Sequence, residues 1–238
     1  MPYVLNLNNR IAGSAAGANV CVPGRVVSDS QGHRITAAYR LFSLSLLVTI
    51  ASGLVVNTAL PTKTAGIVCM LAFVLLPVFG FSVASSGGRD NWFTWRFFSL
   101  CVIEGCFLGP VLRFAERAAP GLSELVGITS LAVVVLFIAY GYLIRLNYSR
   151  WLGFILCSSI VILVASITGE VLGATAVEIS CEAGTLVLMC AAVIYDSSKL
   201  FEADRTQTPV EDAADLHLDV LCFFVTLLNL TSRLATKS

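Results

Sequence analysis

Charge is what this chain has least of. Asp, Glu, Lys and Arg together make up 13% of its 238 residues, roughly half the share of an ordinary soluble domain, which excludes a soluble globular fold. Acidic and basic residues balance to a formal net charge of +0. Bulk attraction to nucleic acid is therefore absent, and no nucleic-acid partner is expected. Histidine is almost missing: His33 and His217 stand far apart in the chain. No Ser/His or Cys/His arrangement for nucleophilic catalysis can be read, so the chain is not expected to be an enzyme. No two of the cysteines have CxxC spacing, which argues against zinc-ribbon and dithiol redox chemistry. Seven of them sit in or beside apolar runs and read as small packing residues. No cofactor is expected. The first 35 residues contain no apolar h-region, so no cleavable signal peptide is expected.

What the chain does have is apolar length. It is 57% hydrophobic with a mean hydropathy of +0.85, and a bilayer core takes about 20 apolar residues per helix. Seven such spans can be read, at about Ala38–Thr58, Ala65–Ser85, Asn91–Leu112, Leu122–Ile144, Trp151–Val171, Ala176–Phe201 and Ala213–Leu234. The expected organisation is a disordered polar cytoplasmic tail over residues 1–37 and a seven-helix transmembrane domain over 38–238. Seven spans put the termini on opposite sides. Arg10, Arg25, Arg34, Arg40, Arg89, Arg96, Arg145, Arg150, Lys199 and Arg205 fall on one side, against Lys63, Arg113, Arg117, Arg233 and Lys237 on the other. That bias predicts a cytoplasmic N-terminus. A multi-pass protein of the bacterial inner membrane is the expectation, with an organelle membrane as the eukaryotic alternative.

The seventh span is the least apolar, carrying Asp215, His217, Asp219, Asn229 and Thr231. A helix of that character is poorly suited to lipid and fits the middle of a bundle. A carboxylate inside a bilayer costs about 2.5–3.5 kcal/mol, so intramembrane acids are functional candidates. Asp196 lies near the end of the sixth span and Asp219 near the start of the seventh. Counted at 1.5 Å per residue, both are roughly 8–9 Å inside the cytoplasmic boundary. In contact, two carboxylates cannot both ionise cheaply; they share a proton and titrate as a unit. Geometry alone equally allows two separate, hydrogen-bonded aspartates. Glu182, Thr185, Met189 and Asp196 fall roughly on one stripe of the sixth helix, a line of oxygen donors that suits calcium or protons. Glu182, Asp196 and Asp219 are accordingly candidate transient calcium ligands. Glu104, in the middle of the third span, must be neutral, paired or wet, and joins Glu182 as a candidate for an ion pathway. The adjacent Gly105 and Gly109 let another helix approach closely.

The third span, FSLCVIEGCFLGPVL from Phe98 to Leu112, resembles the Glu-Gly…Gly-Pro helix of the Bax inhibitor family, also called the transmembrane Bax inhibitor motif family. The segment NYSRWLGFILCSSIVILVASI resembles that family's stretch after the fourth helix. Tyr195–Asp196 is similar to its Tyr-Asp motif, and Leu218–Asp219 to its Leu-Asp. The likeness covers roughly 38–234, in order. It implies an all-α membrane fold of seven helices, six wrapped around a central C-terminal helix. It implies a pH-sensitive calcium leak with an aspartate pair as sensor, here Asp196 and Asp219. Family members also act as cell-death suppressors or partners of membrane proteases, so the alternative is a non-conducting regulator that binds another membrane protein. Two departures stand out: the usual Tyr-Asp-Thr-Gln reads Tyr195-Asp196-Ser197-Ser198, and no arginine lies in the second span as a basic partner for the aspartates. Arg89 lies just past that span.

Overall fold

The computed structural model describes residues 21–22, 25–26, 29–86, 92–143, 149–201 and 207–235. The expected tail up to residue 20, Arg89, Arg145 and Arg205 lie outside the described residues. A short antiparallel pair, β1 (Cys21–Val22) and β2 (Arg25–Val26), aligns Cys21 with Val26 and Val22 with Arg25. Seven helices follow among the described residues: α1 (Asp29–Ala59), α2 (Thr62–Ser86), α3 (Phe93–Ala118), α4 (Leu122–Leu143), α5 (Ser149–Leu172), α6 (Thr175–Lys199) and α7 (Pro209–Ala235). All seven are long and apolar enough to cross a membrane.

The helix starts at α1 and α7 differ most from the sequence reading. α1 begins nine residues before Ala38 because its first turns are held by the end of α6. Gln31 Nε2 donates to the Phe201 carbonyl (2.9 Å) and Arg34 to the Leu200 carbonyl (3.0 Å). These are the carbonyls a helix end leaves without intrahelical partners. α7 begins at Pro209 rather than Ala213, on a capping box. Thr208 N–H donates to Glu211 Oε2 (2.7 Å) and Glu211 N–H donates back to Thr208 Oγ1 (3.3 Å), with Pro209 in the first-turn position that favours it.

Helix composition sorts the bundle into inner and outer members. α2, α4 and α5 are apolar all round, whereas α3 and α7 are sided. α7 packs against α1, α3, α4 and α6; α2 packs on α3, and α5 on α6. Among the described residues, four helices rather than six therefore make the extensive contacts with α7, and α2 and α5 form an outer layer that faces lipid. The main core gathers Phe42 of α1, Phe97 and Cys101 of α3, Val134 of α4, Val193 of α6, and Leu216, Val220 and Phe223 of α7. Ala115, Leu122, Val126 and Leu228 form a smaller core at the other end.

The tightest crossing is α1 over α3. A Cβ on Gly105 would lie 1.9 Å from Ser52 Oγ and 2.3 Å from the Thr49 carbonyl oxygen, and one on Gly109 2.6 Å from the Gly53 carbonyl. The Gly105/Gly109 pair thus serves close helix approach, and α1 is the helix that approaches. Arg113 of α3 then closes the end of α1. Its Nε donates to Asn57 Oδ1 (3.0 Å), and its terminal nitrogen donates to the carbonyls of Val56 (3.2 Å), Leu60 (3.1 Å) and Asn57. A guanidinium there also complements the negative end of the helix dipole.

Candidate functional site

α7 carries two polar positions that face opposite ways. His217 and Asp219 are two residues apart, about 200° around the helix. His217 points toward α1 and α3, and Asp219 toward α6.

On the α6 side, Asp219 lies against Asp196, with Asp215 and Lys199 close enough to act on its charge. One carboxyl oxygen of Asp219 is buried and meets no hydrogen-bond donor among the described residues. Lys199 Nζ sits 3.5 Å from Asp196 Oδ1 and 3.9 Å from the centre of the Tyr195 ring. The aspartates therefore have a basic neighbour one turn along α6, a role for which the second span offers no arginine. Their shared level does not arise from equal distances to the helix ends. Asp196 is three residues from the end of α6, and Asp219 is ten residues into α7. The first turns of α7 project past α6, where Asp212, Ala213 and Ala214 are buried.

On the α1/α3 side stands a polar cluster that the sequence reading did not assemble. His217 is fully buried and its Nε2 lies 2.8 Å from Glu104 Oε2. Ser45 Oγ donates to the Phe42 carbonyl (2.7 Å), so its lone pair accepts from His217 Nδ1 at 2.9 Å. That arrangement puts a proton on Nδ1 and leaves one proton between Nε2 and the carboxyl of Glu104. Thr49 Oγ1 donates to the Cys101 carbonyl (3.1 Å) and lies 3.4 Å from Nε2. Phe97 packs edge-on to the imidazole with ring centres 5.7 Å apart. Glu104, a candidate from sequence, is thus a paired acid. His217 was visible only as one polar residue in a weakly apolar span, because its partner lies 113 residues away.

A cavity of about 400 Å³ joins Glu104 to the middle of α6. Glu104, Thr185, Met189, Cys222 and Thr226 line it, with Leu76 and Leu218 on its walls. Thr185 and Met189 are the middle of the stripe expected on α6. Glu182 is elsewhere: its Oε1 accepts from Arg233 Nε at 2.9 Å, and Arg233 also pairs with Glu178. Fourteen residues along α6 put Glu182 about 21 Å from Asp196. The three candidate calcium ligands do not converge; Asp196 and Asp219 meet, and Glu182 closes the opposite end of the α6–α7 contact.

A family model described as "Inhibitor of apoptosis-promoting Bax1" matches residues 31–236. No curated protein matches the chain.

Proposed function

The chain belongs to the Bax inhibitor family, and from that premise we propose that this multi-pass membrane protein is a pH-sensitive cation leak channel with calcium as the permeant ion. The observation that carries the reading is the contact of Asp196 with Asp219 across the α6–α7 interface, beside Lys199 and Asp215. With one proton between them the two carboxyls hydrogen-bond and hold α6 to α7. When that proton leaves, two negative charges face each other in surroundings of low dielectric and the contact loosens. The contact therefore weakens as pH rises. Lys199 moderates the repulsion from the Asp196 side.

The path offered to the ion runs along α6. Asp196 and Asp219 lie at the cytoplasmic end, the cavity with Glu104, Thr185 and Met189 lies in the middle, and Glu182 with Arg233 lies at the far end. Oxygen donors spaced along such a path suit a hard cation.

Calcium flux into proteoliposomes between about pH 5 and 8 tests this. The expected result is a pH-dependent flux that Asp219→Asn or Asp196→Asn abolishes or makes independent of pH. Absence of flux above that of empty liposomes, at every pH, supports the other reading, a non-conducting regulator of a partner membrane protein with both aspartates structural.

A further inference from the structure

Cys101, Glu104 and His217 present a thiol sulfur, a carboxylate oxygen and an imidazole nitrogen within 4.8 Å of one another, and all three residues are buried. We propose that they form a binding site for a divalent transition metal, zinc being the best match. The site is separate from the aspartate pair and does not depend on conduction.

The donor set decides the class of ion. Sulfur and imidazole ligands suit zinc and its neighbours, while calcium and magnesium take oxygen ligands. Cys101 and Glu104 stand three residues apart on α3, so both project from one face. α7 brings His217 to that face. Tetrahedral zinc at about 2.0–2.3 Å from each donor needs donor separations of roughly 3.3–3.7 Å. From the observed arrangement, His217 Nε2 and Glu104 Oε2, now 2.8 Å apart, part slightly, and Cys101 Sγ swings in by about 1 Å. Glu104 also lines the cavity between α2, α3, α6 and α7, so the site borders open space on that side.

Two further features fit a ligand set. His217 Nδ1 is held by Ser45 Oγ at 2.9 Å, and that hydroxyl is itself fixed on the Phe42 carbonyl. Metal-binding histidines have this kind of outer hydrogen bond, which leaves the other nitrogen aimed at the metal. The charge also balances. The thiol proton and the proton between Nε2 and the carboxyl leave as one M²⁺ enters, giving a thiolate, a carboxylate and a neutral imidazole around two positive charges. The exchange adds no net charge to a bundle interior where net charge is costly.

Full-length protein in detergent, stripped with chelator and kept reduced, can be titrated with Co²⁺. The expected result is one Co²⁺ per chain with a sulfur-to-cobalt charge-transfer band. Cys101→Ser removes the band, and Cys157→Ser, at an exposed cysteine, keeps it. Ser45→Ala weakens binding by roughly tenfold or more. Zn²⁺ displaces the Co²⁺, and Ca²⁺ in about hundredfold excess does not. X-ray absorption of zinc-loaded wild-type protein needs no variant and should show one sulfur at about 2.3 Å with lighter atoms at about 2.0 Å. No thiolate band in the wild type, a band that survives Cys101→Ser, or a zinc shell without sulfur overturns the site.

Discussion

The α1–α3 crossing allows one chemical change to be tried in two places with opposite outcomes. Gly105→Ala and Gly66→Ala each add a methyl group to a helix interior. At Gly66, on the lipid side of α2, the new Cβ meets nothing within 4 Å. There the change adds only helix propensity, up to about 1 kcal/mol of stabilisation. At Gly105 the Cβ arrives 1.9 Å from Ser52 Oγ, 2.3 Å from the Thr49 carbonyl oxygen and 3.0 Å from the Gly53 nitrogen. The Ser52 hydroxyl can rotate away from its bonds to the Val48 and Thr49 carbonyls; the Thr49 backbone cannot. Restoring ordinary contact requires α1 and α3 to part by about 1 Å, which also stretches the Thr49–Cys101 bond across the crossing. Overpacking of this kind costs about 1–3 kcal/mol, and a backbone obstacle places the site at the upper end. After the propensity gain is subtracted, Gly105→Ala should destabilise by about 2 kcal/mol. Reversible unfolding in mixed detergent and denaturing micelles measures both variants against the wild type. A Gly105→Ala protein as stable as the wild type, or two variants that shift in the same direction, would refute the account of the crossing.

Arg113→Met removes the charged donor from the end of α1 and should cost about 2 kcal/mol, since hydrogen bonds to charged groups contribute about 1.5–3 kcal/mol; the same unfolding assay reads it. Thr208→Ala opens the capping box of α7 and should cost about 1 kcal/mol, with amide exchange rising first over residues 210–212. Glu104→Leu leaves His217 Nε2 without its carboxyl partner and should cost about 1–3 kcal/mol, while Glu104→Leu combined with His217→Phe should recover most of that loss. A double variant no better than the single one would show that the pair does not act as a unit.

The spans were legible because hydropathy reports what lipid requires, and lipid touches most of α2, α4 and α5. The same signal fails where a helix leaves the bilayer. Asp29–Ala37 is too polar to register as a span, yet it is helical because Gln31 and Arg34 satisfy the end of α6. Thr208 and Glu211 carried a readable capping signal that hydropathy ignores. In the candidate site, Asp196 and Asp219 were legible because a short connection brings their helices together as neighbours. Glu104 stood out by its cost in a membrane. Its pairing with His217 had no trace in local periodicity, since α3 and α7 meet only after the chain has crossed the membrane three more times. The outer layer was likewise hidden: α2 and α5 are no more apolar than α4, and only packing shows that they stay off α7.

The Glu104–His217 pair also sets a timetable for biogenesis. Glu104 is synthesised 113 residues before the histidine that will face it. At ordinary elongation rates that interval is about 6–23 s. During it α1 and α3 can already meet at their glycines, because both sides of that crossing have been made. The seat that α7 will take is still vacant, and a carboxyl group waits beside it. The helix that completes the interior is made after the six others described, so a chain stalled before His217 leaves its central acid still without its partner.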